Sequence, residues 1–462
     1  NRLLPNDGTI NIQTMKKIGI ALCFCCVMAL FAACTDNSYL NAVPRESTAL
    51  LSIDPVKMSG LNHVSVLRTL LQATNISKSG IDVSHKIMLF EAPDGNLGVC
   101  AKAQDEDELT QTFAQLATKN VCPAPIKRRG FHFTVLKDAW VVGWNNTAML
   151  VMGPVTVEAQ SSLQQQIAQY LKQDEAAGIT QSRLYEKLDS LEGSMTLVAQ
   201  ATALPQQFLA PLTLGMPKKA DGSEVIIAAE MEKEQQVMHI KGEVFSLNAT
   251  VNQSLKQAYQ LYRPITDRYL SATPRDAMLS MFLNVDGQKF LPVMQNNAGF
   301  QALLMGINTA IDMDNILRSV DGDLALITPY YDEHRLSMRM MAQLKHKNWV
   351  KDVGYWKKSC PAGGRIVDWK PDAWYYTSKE TTFYFGVTPQ LQFFSGSTAE
   401  EASQAFAPAK QQLSATEKNL IKGQKLALVI NMNALQGGKT GAVTAMLQPI
   451  FGDVHTLIYT LK

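Results

Sequence analysis

The sequence predicts an α+β fold of two tandem related modules, each an antiparallel sheet with helices packed on one face. Two observations predict it. Short strand-like runs alternate with amphipathic helical stripes, and the order of these elements, together with several short motifs, occurs twice.

The repeat is clearest at Tyr39-Leu40-Asn41-Ala42-Val43-Pro44-Arg45-Glu46, which returns as Tyr269-Leu270-Ser271-Ala272-Thr273-Pro274-Arg275-Asp276 with five of eight positions identical. Each copy leads into an apolar strand, Leu50 to Ile53 or Leu279 to Leu283, and reaches Asp54 or Asn284 at the matching place. A helical stripe at i, i+4 and i+7 follows, carrying Leu109, Phe113 and Leu116 in one copy and Trp349, Val353 and Trp356 in the other. Next comes the same tripeptide, Cys122-Pro123-Ala124 and Cys360-Pro361-Ala362. Paired strands then carry glycines ten apart, Gly143 with Gly153 and Gly386 with Gly396.

Within the first copy, Phe131 to Val135, Ala139 to Trp144 and Ala148 to Met152 read as antiparallel hairpin strands separated by turn signals. Leu163, Ile167, Tyr170 and Leu171 form one helical face and Leu184, Leu188 and Leu191 a second, before a strand from Met195 to Ala199. Val225 to Met231 and Val237 to Phe245 make a further hairpin that the shorter second half lacks. The modules are therefore expected at 34–267 and 268–462, joined by a helix near Ser254 to Asp267.

The N-terminal residues form no part of either module. Met15-Lys16-Lys17 is a short cationic start, and Ile18 to Ala33 carry no charge. A spanning helix needs about 20 apolar residues, and this run is shorter. Residues 15–33 therefore read as a signal peptide and residues 1–14 as an over-extended start. Leu30-Phe31-Ala32-Ala33-Cys34 resembles the bacterial lipobox, in which the cysteine is acylated after cleavage, so Cys34 is the expected lipid attachment site.

Residues 1–33 hold three basic side chains, Arg2, Lys16 and Lys17, and one acid, Asp7. Their removal from 43 basic and 41 acidic residues leaves equal numbers. A neutral chain lacks the field that holds phosphate backbones, which argues against nucleic acid as a partner.

Cys34 followed by Tyr39-Leu40-Asn41 and Pro44, the strand ending in Asp54, and Leu136-Lys137-Asp138-Ala139-Trp140 together resemble an uncharacterised family of Bacteroidetes lipoproteins. The resemblance implies a cell-envelope lipoprotein and supplies no catalytic residues.

Of seven cysteines, Cys100, Cys122 and Cys360 remain beyond Cys34. Export permits a disulfide, and Cys100 with Cys122 is the nearest choice in sequence. The alternative is a small buried thiol in a repeated turn. No His-Glu-x-x-His or close His/Cys ligand set occurs, so no metal or cofactor is expected. Asp312 with Asp314 and Asp321 with Asp323 fit helix capping and a turn better than a calcium loop. No nucleophile elbow, phosphate-cradling loop or dinucleotide fingerprint is present.

The richest cluster is aromatic, from Trp369 to Phe394. Its non-core face would carry a ligand platform, for which Trp374, Tyr376 and Tyr384 are the candidates. Lysines 345, 347, 351, 357 and 358 around Trp349 and Trp356 read as the wet face of a core-packed helix. The expectation is a non-enzymatic lipoprotein, anchored by lipid in the outer membrane and facing the periplasm, whose duplicated modules bind an envelope protein or an extended ligand. The alternatives are a surface glycan-binding accessory protein and an envelope hydrolase with an unrecognised site.

Overall fold

The computed structural model describes residues 37–57, 78–204, 212–297, 310–330, 338–379, 381–434 and 454–461. The expected signal peptide and Cys34 lie outside them.

The first half contains β1 (Ala49–Ile53), β2 (Ile87–Glu91), β3 (Leu97–Lys102), α1 (Glu106–Thr118), β4 (Ile126–Arg128), β5 (Phe131–Leu136), β6 (Trp140–Trp144), β7 (Ala148–Gly153), α2 (Gln160–Tyr170), α3 (Arg183–Asp189), β8 (Met195–Gln200), β9 (Val225–Glu234), β10 (Val237–Ser246) and α4 (Ala249–Tyr259). The second contains β11 (Leu279–Asp286), α5 (Gly287–Asn296), α6 (Met313–Arg318), β12 (Val320–Thr328), β13 (Arg339–Leu344), α7 (Val353–Lys358), β14 (Arg365–Lys370), β15 (Ala373–Thr377), β16 (Thr382–Val387), β17 (Gln392–Gly396), α8 (Ala399–Ser403), α9 (Ala415–Ile421), β18 (Leu426–Asn431) and β19 (Thr456–Leu461).

All these strands join one sheet. Its hydrogen-bonded order through the first half is β4-β5-β6-β7-β3-β2-β1-β8-β9-β10. It continues through the second as β19-β18-β11-β12-β13-β17-β16-β15-β14. Read inward from either edge the order is the same, with β10 as the extra strand of the first half. Adjacent strands are antiparallel except where β10 meets β19 in parallel, with His239 opposite Ile458. The expected two sheets are thus one, and His239 Nε2 lies 2.9 Å from Thr460 Oγ1 across the seam.

The ladders align the halves residue by residue. Leu50 lies opposite Phe90 and Phe90 opposite Gly98, while Ser280 lies opposite Ile327 and Ile327 opposite Arg339. Farther along, Cys100 faces Leu150 and Leu150 faces Gly143, as Met341 faces Phe394 and Phe394 faces Gly386. Gly143 and Gly386 therefore match, whereas Gly153 and Gly396 fall one rung apart.

Helices cover both faces, which corrects the expectation of one. On the first face, Leu109, Phe113 and Leu116 of α1 join Trp349, Val353 and Trp356 in a core that runs through both halves. On the second face, the first half buries Leu163, Ile167, Leu184 and Leu188 of α2 and α3 against Leu50, Phe90 and Leu150. The second half there buries Tyr269, Leu270 and Ile421 against Phe282 and Ile327. The physical reason is in the strands: Ile87 to Phe90 and Ala148 to Met152 are unbroken apolar runs, buried at every position. Such runs demand cover on both sides.

Each Tyr-Leu-x-Ala-x-Pro-Arg segment docks in the same way. Pro44 bridges Gly178 and Pro274 bridges Gln412, in the chain that follows α2 and α8. Arg45 N–H donates to Ala177 O at 3.0 Å, and Arg275 N–H to Gln411 O at 2.8 Å.

Candidate functional site

The aromatic cluster sits on β14 to β17, the outer strands of the second half. Side chains alternate across a strand, so β15 sends Trp374 and Tyr376 to one face and Tyr375 to the other. The ladder then sets Trp374 opposite Phe385 and Tyr375 opposite Tyr384. The three platform candidates are therefore not brought together, because Tyr384 points away from Trp374 and Tyr376.

Trp374 is 8% exposed. Its ring lies 6.0 Å from Trp349 and 5.8 Å from Phe385, and Nε1 donates to Asp368 at 2.8 Å. Tyr376 packs half-buried on the same core. On the other face Tyr384 stacks on Tyr375 at 5.1 Å and meets the Trp369 edge at 4.9 Å with planes 70° apart. Trp369 and Tyr384 rest on Ala402 and Ala405, and Lys370 Nζ lies 4.3 Å from the Trp369 ring centre. Packing explains these rings, and they form no flat shelf.

Cys100 and Cys122 are both free and lie on opposite faces of the sheet, so the pairing expected from their nearness in sequence is not formed. The Cys100 thiol donates to Tyr39 O at 3.4 Å and the Cys122 thiol to Phe113 O at 3.7 Å. Burial pushes both thiols up, as it does Cys360. A raised thiol holds little thiolate near neutral pH and is a weak nucleophile.

The acidic pairs serve the fold. Asp312 accepts from Asn315 N–H and caps α6. Asp323 accepts from the Thr266 N–H and hydroxyl and from the Asn284 amide at 2.9 Å, while Asp321 pairs with Arg263 at 2.9 Å. Among the described residues, no three His, Cys, Asp or Glu side chains are arranged to hold a metal ion.

Two features escaped the sequence reading. The first is a charge contrast between matching helices on the shared face. Glu106, Asp107 and Glu108 crowd the first turn of α1, whereas Lys351, just before α7, and Lys358, its last residue, lie exposed on either side of Tyr355, itself 70% exposed. The second is a cleft of about 530 Å³ on the second face of the second half, lined by Arg339, Asp276, Glu400 and Glu401. A signal for it existed, since Arg339 opens the otherwise apolar run Met340-Met341-Ala342.

These observations define an α+β protein built on one open sheet, covered on both faces, whose strand order repeats. The chain belongs to the family described as Domain of unknown function (DUF4836), whose model matches residues 39–419. Among solved structures, crystal form IV of TP0453 is similar with a TM-score of 0.23 and 13% identity, over 38% of this chain and 66% of that one. Crystal form III gives a TM-score of 0.25 and 14% identity over the same shares. The match thus spans just under two thirds of that protein's length. No curated protein sequence matches. Among the described residues, no helix is long and apolar enough to cross a membrane.

Proposed function

We propose that the chain is a lipid-anchored envelope protein, attached through Cys34 to the outer membrane and facing the periplasm, that binds a protein partner without catalysis. We further propose that it arose by tandem duplication. The observation that carries the reading is the repeated strand order, with matched ladders and two proline-arginine segments docked alike. Doubling a scaffold within one sheet lengthens a surface. α1 opens with Glu106, Asp107 and Glu108, and Lys351 and Lys358 lie exposed before and at the end of α7, so the two helical regions over the shared core carry opposite charge at different positions. Such a pattern suits a polar protein partner, which charge steers and holds in register. The glycan reading depended on coplanar rings at Trp374, Tyr376 and Tyr384, and the ladder separates them.

Metabolic labelling with an alkyne fatty acid, followed by membrane fractionation, tests the anchor. The wild-type protein should carry the label and sediment with membranes, and Cys34→Ala should do neither. Equal membrane attachment of the two would refute lipid anchoring. Protease shaving of intact cells tests the side, since release before the outer membrane is opened would contradict a periplasmic face.

A further inference from the structure

We infer that the cleft on the second half binds a small zwitterion of the amino-acid or short-peptide kind, its carboxylate on Arg339 and its ammonium toward the acidic rim. The inference needs only this cleft and is independent of the anchoring and partner readings.

The matched ladders show how the cleft arises. Position 98 of the first half, the equivalent of Arg339, is a glycine, and a Cβ there would come within 2.3 Å of the Phe90 ring. That place is sealed by core. In the second half the same rung holds an arginine beside Ile327. The covering helix also differs, since α2 runs Gln160–Tyr170 and buries Leu163 and Ile167, while α8 ends at Ser403 and irregular chain follows along the cleft wall.

Arg339 is placed as a receptor. Its Nε is out of solvent and has no hydrogen-bond partner, a condition that buried donors rarely keep without a ligand or water. Among the described residues its guanidinium forms no ion pair, although Asp276, Glu400 and Glu401 line the same cleft. A planar carboxylate fits a guanidinium through two parallel bonds. Asp276 and Glu400 are exposed at the rim, and Glu401 is tied through Oε2 to Ser397 N–H at 2.9 Å. Lys410 also lines the cleft as an exposed second cation, but a plain anion would still have to sit among three carboxylates. A molecule carrying a cation beside its carboxylate satisfies both the floor and the rim. The volume falls in the range of small-molecule sites, about 300–1,000 Å³.

Isothermal titration calorimetry with alanyl-alanine, alanyl-alanine amide, N-acetyl-alanyl-alanine and inorganic phosphate tests this on the folded protein. Alanyl-alanine should bind saturably, and each blocked form should bind at least about tenfold more weakly, the loss expected for one charged contact. Arg339→Gln should cause a similar loss with its thermal melt retained. Ala407→Trp, which fills the cleft and keeps Arg339, should abolish binding and decides the matter if Arg339→Gln does not fold. Absence of saturable heat with alanyl-alanine overturns the inference. So does equal affinity for the blocked forms, unchanged binding in either variant, or tighter binding of phosphate, which would mark a simple anion site.

Discussion

Glu417 has no exposed surface, yet it accepts from Ser414 N–H at 2.6 Å and from Arg275 Nε at 3.1 Å. Burial alone would raise its carboxyl. The Ser414 N–H, the Thr456 and Ser414 hydroxyls and Arg275 outweigh burial and hold it below the ordinary glutamate value. A depressed carboxyl means that the unfolded chain binds more protons, so this stabilisation is complete above the unfolded value and disappears as pH falls through the folded one. Urea midpoints should therefore drop on acidification below about pH 4.3, and Glu417→Gln should flatten that dependence. Arg275→Ala strips the cation from a buried carboxylate that keeps its other donors, and should cost about 2 kcal/mol in urea at neutral pH. Arg275 stood out in the sequence as part of a repeated motif, and Ser414-x-x-Glu417 spells a capping box. Their meeting was not legible, because 142 residues separate them. The platform residues failed for a related reason: alternation was readable within each strand, but which face Tyr384 shares with Tyr375 depends on a register between strands.

The seam of β10 and β19 rests on a close approach. A Cβ on Gly242 would lie 2.3 Å from Tyr459 Cε2, so Gly242→Val must displace a buried ring. It should cost about 2 kcal/mol, seen as a lowered denaturation midpoint. Gly354, inside α7, is the contrast, because a Cβ there meets nothing within 4 Å. Gly354→Ala should stabilise by about 0.5–1 kcal/mol, and a loss of stability in that variant would mean that α7 is not helical at this position. Hairpins and amphipathic helices were largely legible, since turn residues and apolar periods are local. The stripes of α1 and of Trp349, Val353 and Trp356 are buried as expected. Cover on both faces was spelled by runs such as Ala148 to Met152, which is buried at every position but read as a simple hairpin strand. The parallel seam has no local signature at all.

Viewed whole, the molecule has a core on one face that includes Leu51 and Phe113 of the first half with Trp349 and Phe385 of the second. Neither half can lose its packing without uncovering the other. Differential scanning calorimetry should accordingly give one transition whose calorimetric and van't Hoff enthalpies agree, and two resolved transitions would contradict a shared core. The repeated motifs were legible in the sequence; that the two halves, whose strand order repeats, would complete a single sheet was not. His239 and Thr460, which meet across the seam, are 221 residues apart. Until β19 has been made and delivered, the outer row of hydrogen-bonding groups on β10 is a bare template, open to any extended segment nearby. Completing the fold is therefore a race between one tethered strand and the strands of neighbouring molecules, and such long-range pairings form slowly. Refolding yield should fall steeply with protein concentration while the stability of the finished protein stays constant.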